Sequence, residues 1–131
     1  MSTLFSRIID GEIPSYKIYE DAYTFAFLDI NPLVLWHTLV VPKIEVDSFI
    51  DVPEPYYSAV FRTAKKIAPA IQKATRCNRI ATMIVGYEIP HFHYHVIPTQ
   101  WMEDLDRRNT GPATPESLKD IQKAILSFLD K

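Results

Sequence analysis

Apolar residues at Val60, Phe61, Ala64, Ile67, Ala68, Ile71 and Ala74 recur every three or four positions, which gathers them on one stripe of a helix beginning near Tyr57. Pro53 and Pro55 mark its start, and Pro69, unable to donate to the carbonyl of Lys65, predicts a kink. A second helix is predicted near the C-terminus. There Thr114 is placed to cap, Pro115 suits the first helical position, and Leu118, Ile121, Ile125, Phe128 and Leu129 share a face. Elsewhere the pattern shortens to strands. Thr24 to Leu28 and residues 37–41 are β-rich runs joined by Asp29, Ile30, Asn31 and Pro32, a turn that favours antiparallel pairing. Residues 80–85 and 92–97 form a second such pair around Gly86, Tyr87, Glu88, Ile89 and Pro90, and Pro98 is expected to end it. Ahead of these, Ile8 and Ile9 precede Asp10 and Gly11, and Pro14 precedes a run from Tyr16 to Tyr19, which reads as a hairpin entering the sheet. Residues 99–113 hold Glu103, Asp104, Asp106, Arg107 and Arg108, then Gly111 and Pro112, and read as a surface loop beside the site.

Length and charge narrow the function. A chain of 131 residues fits a single domain. Its 14 Lys and Arg against 16 Asp and Glu leave no broad cationic footprint for nucleic acid. No apolar run approaches the roughly 18 residues that span a bilayer, and the stretch from Met1 to Arg7 lacks a secretory leader's pattern. The single cysteine, Cys77, excludes an internal disulfide and any cysteine-based zinc cage. These observations place the protein in the cytoplasm. With glycine only at positions 11, 86 and 111, neither a P-loop nor a dinucleotide fingerprint can be written, so phosphate binding must use other groups.

The histidines supply those groups. All four are His37, His91, His93 and His95, and the last three alternate in a predicted strand. Alternation sends their imidazoles to one surface, roughly 6 to 7 Å apart, while Phe92, Tyr94 and Val96 enter the core. Three ordinary polar positions on a solvated strand would account for them only if Thr, Lys or Glu would not serve there equally well. Two readings with chemical content stay open: a three-histidine zinc site with a free coordination position, and imidazoles that attack phosphorus and donate protons near neutral pH.

The series His91, Phe92, His93, Tyr94, His95, Val96, Ile97 resembles the motif of the histidine triad (HIT) family, three histidines separated by apolar residues and followed by two more. The segment from Phe5 through Asp10 and Gly11 to Pro14, then Tyr19 to Asp21, Ala26 to Ile30 and His37 to Lys43, is similar to the family as well, so the resemblance spans residues 5–98. It implies an α+β fold with a five-stranded antiparallel sheet and two main helices, one HIT domain over residues 1–131. The triad strand would cover 91–98 and a C-terminal loop and helix 99–131. It also implies a homodimer with a continuous two-subunit sheet.

For function, the resemblance implies a hydrolase cleaving a phosphoramidate or phosphoanhydride at the α-phosphate of a nucleotide, with a purine nucleoside monophosphate derivative as substrate. His93 would be the nucleophile, His95 would assist at the phosphate and leaving group, and His91 and His37 would orient the array. Asp29 would hold the ribose hydroxyls, and Phe5, Ile8, Phe27 and Ile30 would wall the base, although core packing explains those apolar residues equally well. Glu88 and Ile89 complete the expected nucleotide contacts. His95, where the family's transferases carry glutamine, favours hydrolysis. No cofactor is expected: some members hold zinc through an N-terminal cysteine pair, and here that stretch reads Thr3, Leu4, Phe5, Ser6. The chain departs from the family at Trp36, where glycine is usual, and at Tyr87 and Glu88, where Gln and then Ser or Thr are common. Two alternatives stand beside this reading, a metal-dependent hydrolase using the histidines as ligands and a nucleotide- or partner-binding module with little catalysis.

Overall fold

Strand-forming runs between residues 17 and 99 assemble into one antiparallel sheet, described here with the rest of residues 2–129 from a computed structural model. Met1, Asp130 and Lys131, which the expected domain over 1–131 includes, lie outside the described residues. The strands are β1 (Lys17–Glu20), β2 (Thr24–Leu28), β3 (Thr38–Pro42), β4 (Arg79–Met83) and β5 (Tyr94–Thr99), in the order β1-β2-β3-β5-β4. Three helices accompany them: α1 (Leu4–Ile9), α2 (Tyr56–Thr75) and α3 (Pro115–Leu129). Among the described residues, no helix is long and apolar enough to cross a membrane.

The period-two alternation of the strands divides the core. Ala26, Leu28, Val40 and Val96 face α2 and α3, where they meet Val60, Ala64, Ile67, Ile71, Leu118, Ile121 and Ile125. The alternate residues Phe25, Phe27, Leu39 and Val41 gather on the other face against Phe5 and Ile8 of α1. Fully burying a side chain such as Ile67 or Ile125 contributes about 1.5 to 3 kcal/mol. Because β2 and β3 are buried at every position, both faces being covered, their sequences read as continuous apolar runs. β3 and β5 pair with Leu39 opposite His95, so the histidine side chain falls on the α1 face.

Three expectations need correction. The first limb of the predicted N-terminal hairpin is helix α1: Thr3 caps it by accepting the Ser6 N–H, and Phe5 and Ile8, three apart, bury one helical face. The hairpin that does enter the sheet joins β1 to β2. Pro98 does not end its strand. It pairs with Ile80 of β4, but the β3 pairing stops at Val96, so its missing N–H deprives no second neighbour of a bond. Finally, only His95 of the triad lies within regular strand, since β5 begins at Tyr94, and His37 precedes β3. At the C-terminal helix, Thr114 does cap, accepting the Ser117 N–H through its hydroxyl. α2 runs without interruption through Pro69.

Candidate active site

His37 and His95 are brought together by neighbouring strands, with 5.1 Å between ring centroids, and His93 lies 5.0 Å from His95. The His93–His95 spacing is shorter than two residues of flat strand would give, because the chain ahead of Tyr94 leaves the ladder. His91 is buried, as is His93, and Phe92 and Val96 enter the core between and beyond the rings, while Tyr94 is half-buried.

Partner identities fix where the ring protons lie. A backbone carbonyl can only accept, so His93 Nδ1, 2.7 Å from the carbonyl of His91, carries a proton, and in the neutral ring Nε2 keeps its lone pair. The Leu33 N–H donates to His37 Nδ1 at 3.1 Å, so in the neutral ring the proton is on Nε2, which donates to His95 Nδ1 at 2.8 Å. Neutral His95 therefore holds its proton on Nε2. Two adjacent rings thus present opposite functions, a lone pair at His93 and an N–H at His95. Burial holds both His37 and His95 at about 4, well below the ordinary imidazole value, with the neighbouring rings adding to the effect in each case. Burial also lowers His91, against the opposing pull of the Pro42 carbonyl. Among the described residues no buried side-chain nitrogen or oxygen lacks a hydrogen-bond partner.

The nucleotide residues expected from the sequence distribute unevenly. Phe5, Ile8 and Phe27 are buried in the α1-side cluster, and Phe5 meets His93 edge-on at 5.0 Å and Phe27 at 5.5 Å. Ile89 packs against the same cluster. Asp29 is half-buried, with Oδ1 accepting the Asn31 N–H at 2.8 Å and Oδ2 lying 3.8 Å from His37 Nε2. Ile30 is 57% exposed and so is not a core residue. Glu88 is exposed and ion-paired with Arg107 at 2.8 Å, a contact between the turn before the triad and the loop after β5. Ala113 at the far end of that loop donates to the Ile30 carbonyl at 3.0 Å.

Trp36 adopts φ 81, the left-handed region that favours glycine and costs another residue about 1 to 2 kcal/mol. Its half-buried ring packs on the helix-side core. Gly86 also has positive φ, 85, and a Cβ there would stand 3.8 Å from His93 Cε1. Thr3, Ser6 and Glu45, together with the Pro42 carbonyl and Leu33 N–H, contact the histidines or one another and carry no signal in the sequence beyond turn and cap chemistry.

Metal fits this arrangement poorly. Ligand atoms of Asp29, His37 and His95 lie within 4.8 Å of one another, but an ion among them would displace the His37–His95 hydrogen bond. At the N-terminal stretch, Thr3 and Ser6 offer hydroxyls where zinc favours thiolates.

Comparison with known proteins bears on the family and the fold. A model of the HIT domain matches residues 10–102. An uncharacterised HIT-like protein of Borreliella burgdorferi is 39% identical over 102 residues, covering 72% of this chain and 73% of the relative. An adenosine 5'-monophosphoramidase of Saccharomyces cerevisiae is 35% identical over 96 residues, covering 72% of this chain and 61% of that protein. The crystal structure of a Hit-like protein involved in cell-cycle regulation from Bartonella henselae superposes with TM-score 0.85 at 31% identity, covering 97% of this chain and 96% of that one.

Proposed function

The chain belongs to the HIT family, and from that premise we propose that it hydrolyses nucleotides substituted at the α-phosphate, phosphoramidates first among them. The observation that carries this reading is the pair of opposite tautomers, a free lone pair on His93 Nε2 beside an N–H on His95 Nε2. His93 Nε2 attacks phosphorus, the bond to the leaving group breaks, and a nucleotidyl-His93 intermediate forms with Nδ1–H still held by the His91 carbonyl. The His95 N–H donates a hydrogen bond to the phosphate or to the departing atom. Water then opens the P–N bond and restores the lone pair. Overall one water is consumed, its hydroxyl ending on phosphorus and its hydrogen on the leaving group. His37 keeps His95 in the donor tautomer, and His91 anchors His93 through its main chain.

On this reading Asp29 takes the ribose hydroxyls, and Phe5, Ile8, Phe27, Ile30 and Ile89 bound the base. The monophosphoramidase relative supports an amine as leaving group, and Glu88, paired with Arg107, lies at the rim rather than against phosphate. The substrate class and the single, buried Cys77 fit a cytoplasmic setting. The test is intact-mass spectrometry of the wild type and His93→Ala mixed with adenosine phosphoramidate at pH 7. A transient nucleotidyl adduct and AMP release are expected from the wild type alone. Equal AMP release by His93→Ala removes the mechanism, and inactivation by a chelator, reversed by zinc, favours the metal-dependent alternative.

We propose in addition that the protein is a homodimer joined across β4. That strand is an edge of the sheet, and beside it runs a partly exposed aromatic row in which Phe61 lies 4.7 Å from Tyr94 and 5.2 Å from Tyr57. A monomeric mass by light scattering at micromolar concentration would refute the dimer without touching the chemistry.

A further inference from the structure

A run of hydrogen bonds through Ser6, Thr3 and His91 links an exposed carboxylate, Glu45, to the nucleophile. Glu45 follows β3, and its Oε1 accepts the Ser6 O–H at 2.5 Å and the Thr3 N–H at 3.1 Å. Thr3 Oγ1 accepts the Ser6 N–H at 3.0 Å and faces both Ser6 Oγ, at 3.1 Å, and His91 Nδ1, at 2.7 Å. The other ring nitrogen of His91 donates to the Pro42 carbonyl at 2.9 Å. The His91 carbonyl, in turn, is the acceptor that holds His93 Nδ1–H.

Counting protons shows what Glu45 controls. An ionised carboxylate only accepts, so the single hydroxyl proton of Ser6 is committed to Glu45. The single proton of Thr3 then has two destinations. When His91 is neutral, with its proton on Nε2 toward Pro42, Thr3 donates to Nδ1. When His91 is charged, Nδ1–H donates to Thr3, Thr3 donates to Ser6, and every contact of the chain is filled. In both states Nε2–H stays on Pro42, so the ring cannot flip to the other tautomer. Removing Glu45 frees the Ser6 proton to turn toward Thr3, whose hydroxyl can then donate to a neutral His91 but no longer accept from a charged one.

We propose that Glu45, acting through Ser6 and Thr3, is a positioning residue for the nucleophile: the clasp fixes the His91 ring, and the His91 carbonyl then holds His93 with its lone pair free for phosphorus. The kinetic part of this inference rests on the reading of His93 as nucleophile; the structural part does not. Two further observations agree with it. Phe5 lies between Thr3 and Ser6 in the chain, and its ring meets His91 at 5.8 Å and His93 at 5.0 Å, so the clasp also sets the wall beside both rings. Burial acts most strongly on His91 and opposes its charged form, as does His93, while the Pro42 carbonyl, then Glu45 and Asp47, favour it. An exposed carboxylate thus reaches a buried ring, although burial, the largest influence, still lowers that ring.

The experiment combines histidine ring 15N NMR at pH 7 with steady-state kinetics on adenosine phosphoramidate, for Glu45→Ala, Glu45→Gln, Thr3→Val and Thr3→Ser. Glu45→Ala is expected to shift the His91 ring 15N resonances and to lower kcat roughly tenfold with little change in KM, as loss of an outer-shell orienting partner does. Glu45→Gln and Thr3→Ser keep an acceptor or a hydroxyl and are expected to recover most of both signals. Glu45→Ala combined with Thr3→Val should be no slower than the slower single variant, since both break one chain. Unchanged His91 resonances in Glu45→Ala overturn the proposal, as do rate losses that add. If the wild type turns over no nucleotide, the hydrolase reading fails while the resonances still decide the clasp. A variant that loses its dispersed spectrum is replaced by Ser6→Ala, which removes the hydroxyl between Thr3 and Glu45; there a shifted His91 ring supports the clasp, and an unshifted one, with kcat unchanged, overturns it.

Discussion

The four histidines form two pairs that are held in different ways. His37 and His95 sit beside and within the β3–β5 ladder and commit ring nitrogens to each other. His91 and His93 lie before β5 begins and commit theirs to backbone carbonyls, with Thr3 completing His91. A ring bonded to a ring shares its proton with a titratable neighbour, so altering one alters both. A ring bonded to main chain keeps its tautomer whatever its neighbour does. The off-ladder pair therefore suits an invariant lone pair, and the ladder pair suits an adjustable proton.

The sharpest way to break that comparison is to remove one member of each pair. His93→Ala should lower kcat on adenosine phosphoramidate by at least about a thousandfold, as deleting a nucleophile does, whereas His37→Asn should cost roughly ten- to a hundredfold. Equal losses would mean that the pairs are not distinct in function. Phe5→Ala comes next. It empties a buried site against both off-ladder rings and should destabilise the fold by about 3 to 5 kcal/mol in urea melts. A cost under about 1 kcal/mol would show that α1 does not support that pair.

Acid separates the pairs further. His37 and His95 are held at about 4 in the folded protein, below the unfolded value of 6.5. The unfolded chain thus binds more protons between these limits, and stability present above pH 6.5 is lost as pH falls toward 4. Melting temperatures measured from pH 7 to pH 4 should fall over that window, and His37→Asn should flatten the fall. A flat wild-type profile would contradict the buried ring–ring bond. The smallest effect belongs to the rim: Glu88→Gln breaks an exposed ion pair and should change stability by less than about 0.5 kcal/mol, read by the same urea melts.

Much of the sheet is readable because its strands carry strong local signals. Thr24 and Leu28 bound β2 in sequence and structure alike, and the cap at Thr114 marks the start of α3, since each rests on residues close in sequence. α1 is not readable in the same way, because six residues offer less than two turns of periodicity, too little to tell Phe5 and Ile8 on a helix from a strand edge. The histidines are legible as a set through their spacing. Their division into pairs is not, because it depends on the Leu33 N–H and the Pro42 carbonyl, main-chain groups that carry no mark in the sequence. Glu45 is hidden for a further reason: its partners are 39 and 42 residues away, and a surface glutamate after a strand has no distinguishing pattern. Trp36 shows the reverse case, a residue that departs from a family preference whose cause, a left-handed backbone, only coordinates reveal.

That same tryptophan offers an optical handle. Of the two indoles in the chain, Trp36 is half-buried and adjoins His37 in sequence, while Trp101 is 67% exposed on the loop after β5. Their emission should differ in colour, blue-shifted for the shielded ring and red-shifted for the wet one. Replacing Trp101 by phenylalanine would leave a single indole fluorophore one residue from the ladder pair, so nucleotide titrations could be followed without label or turnover.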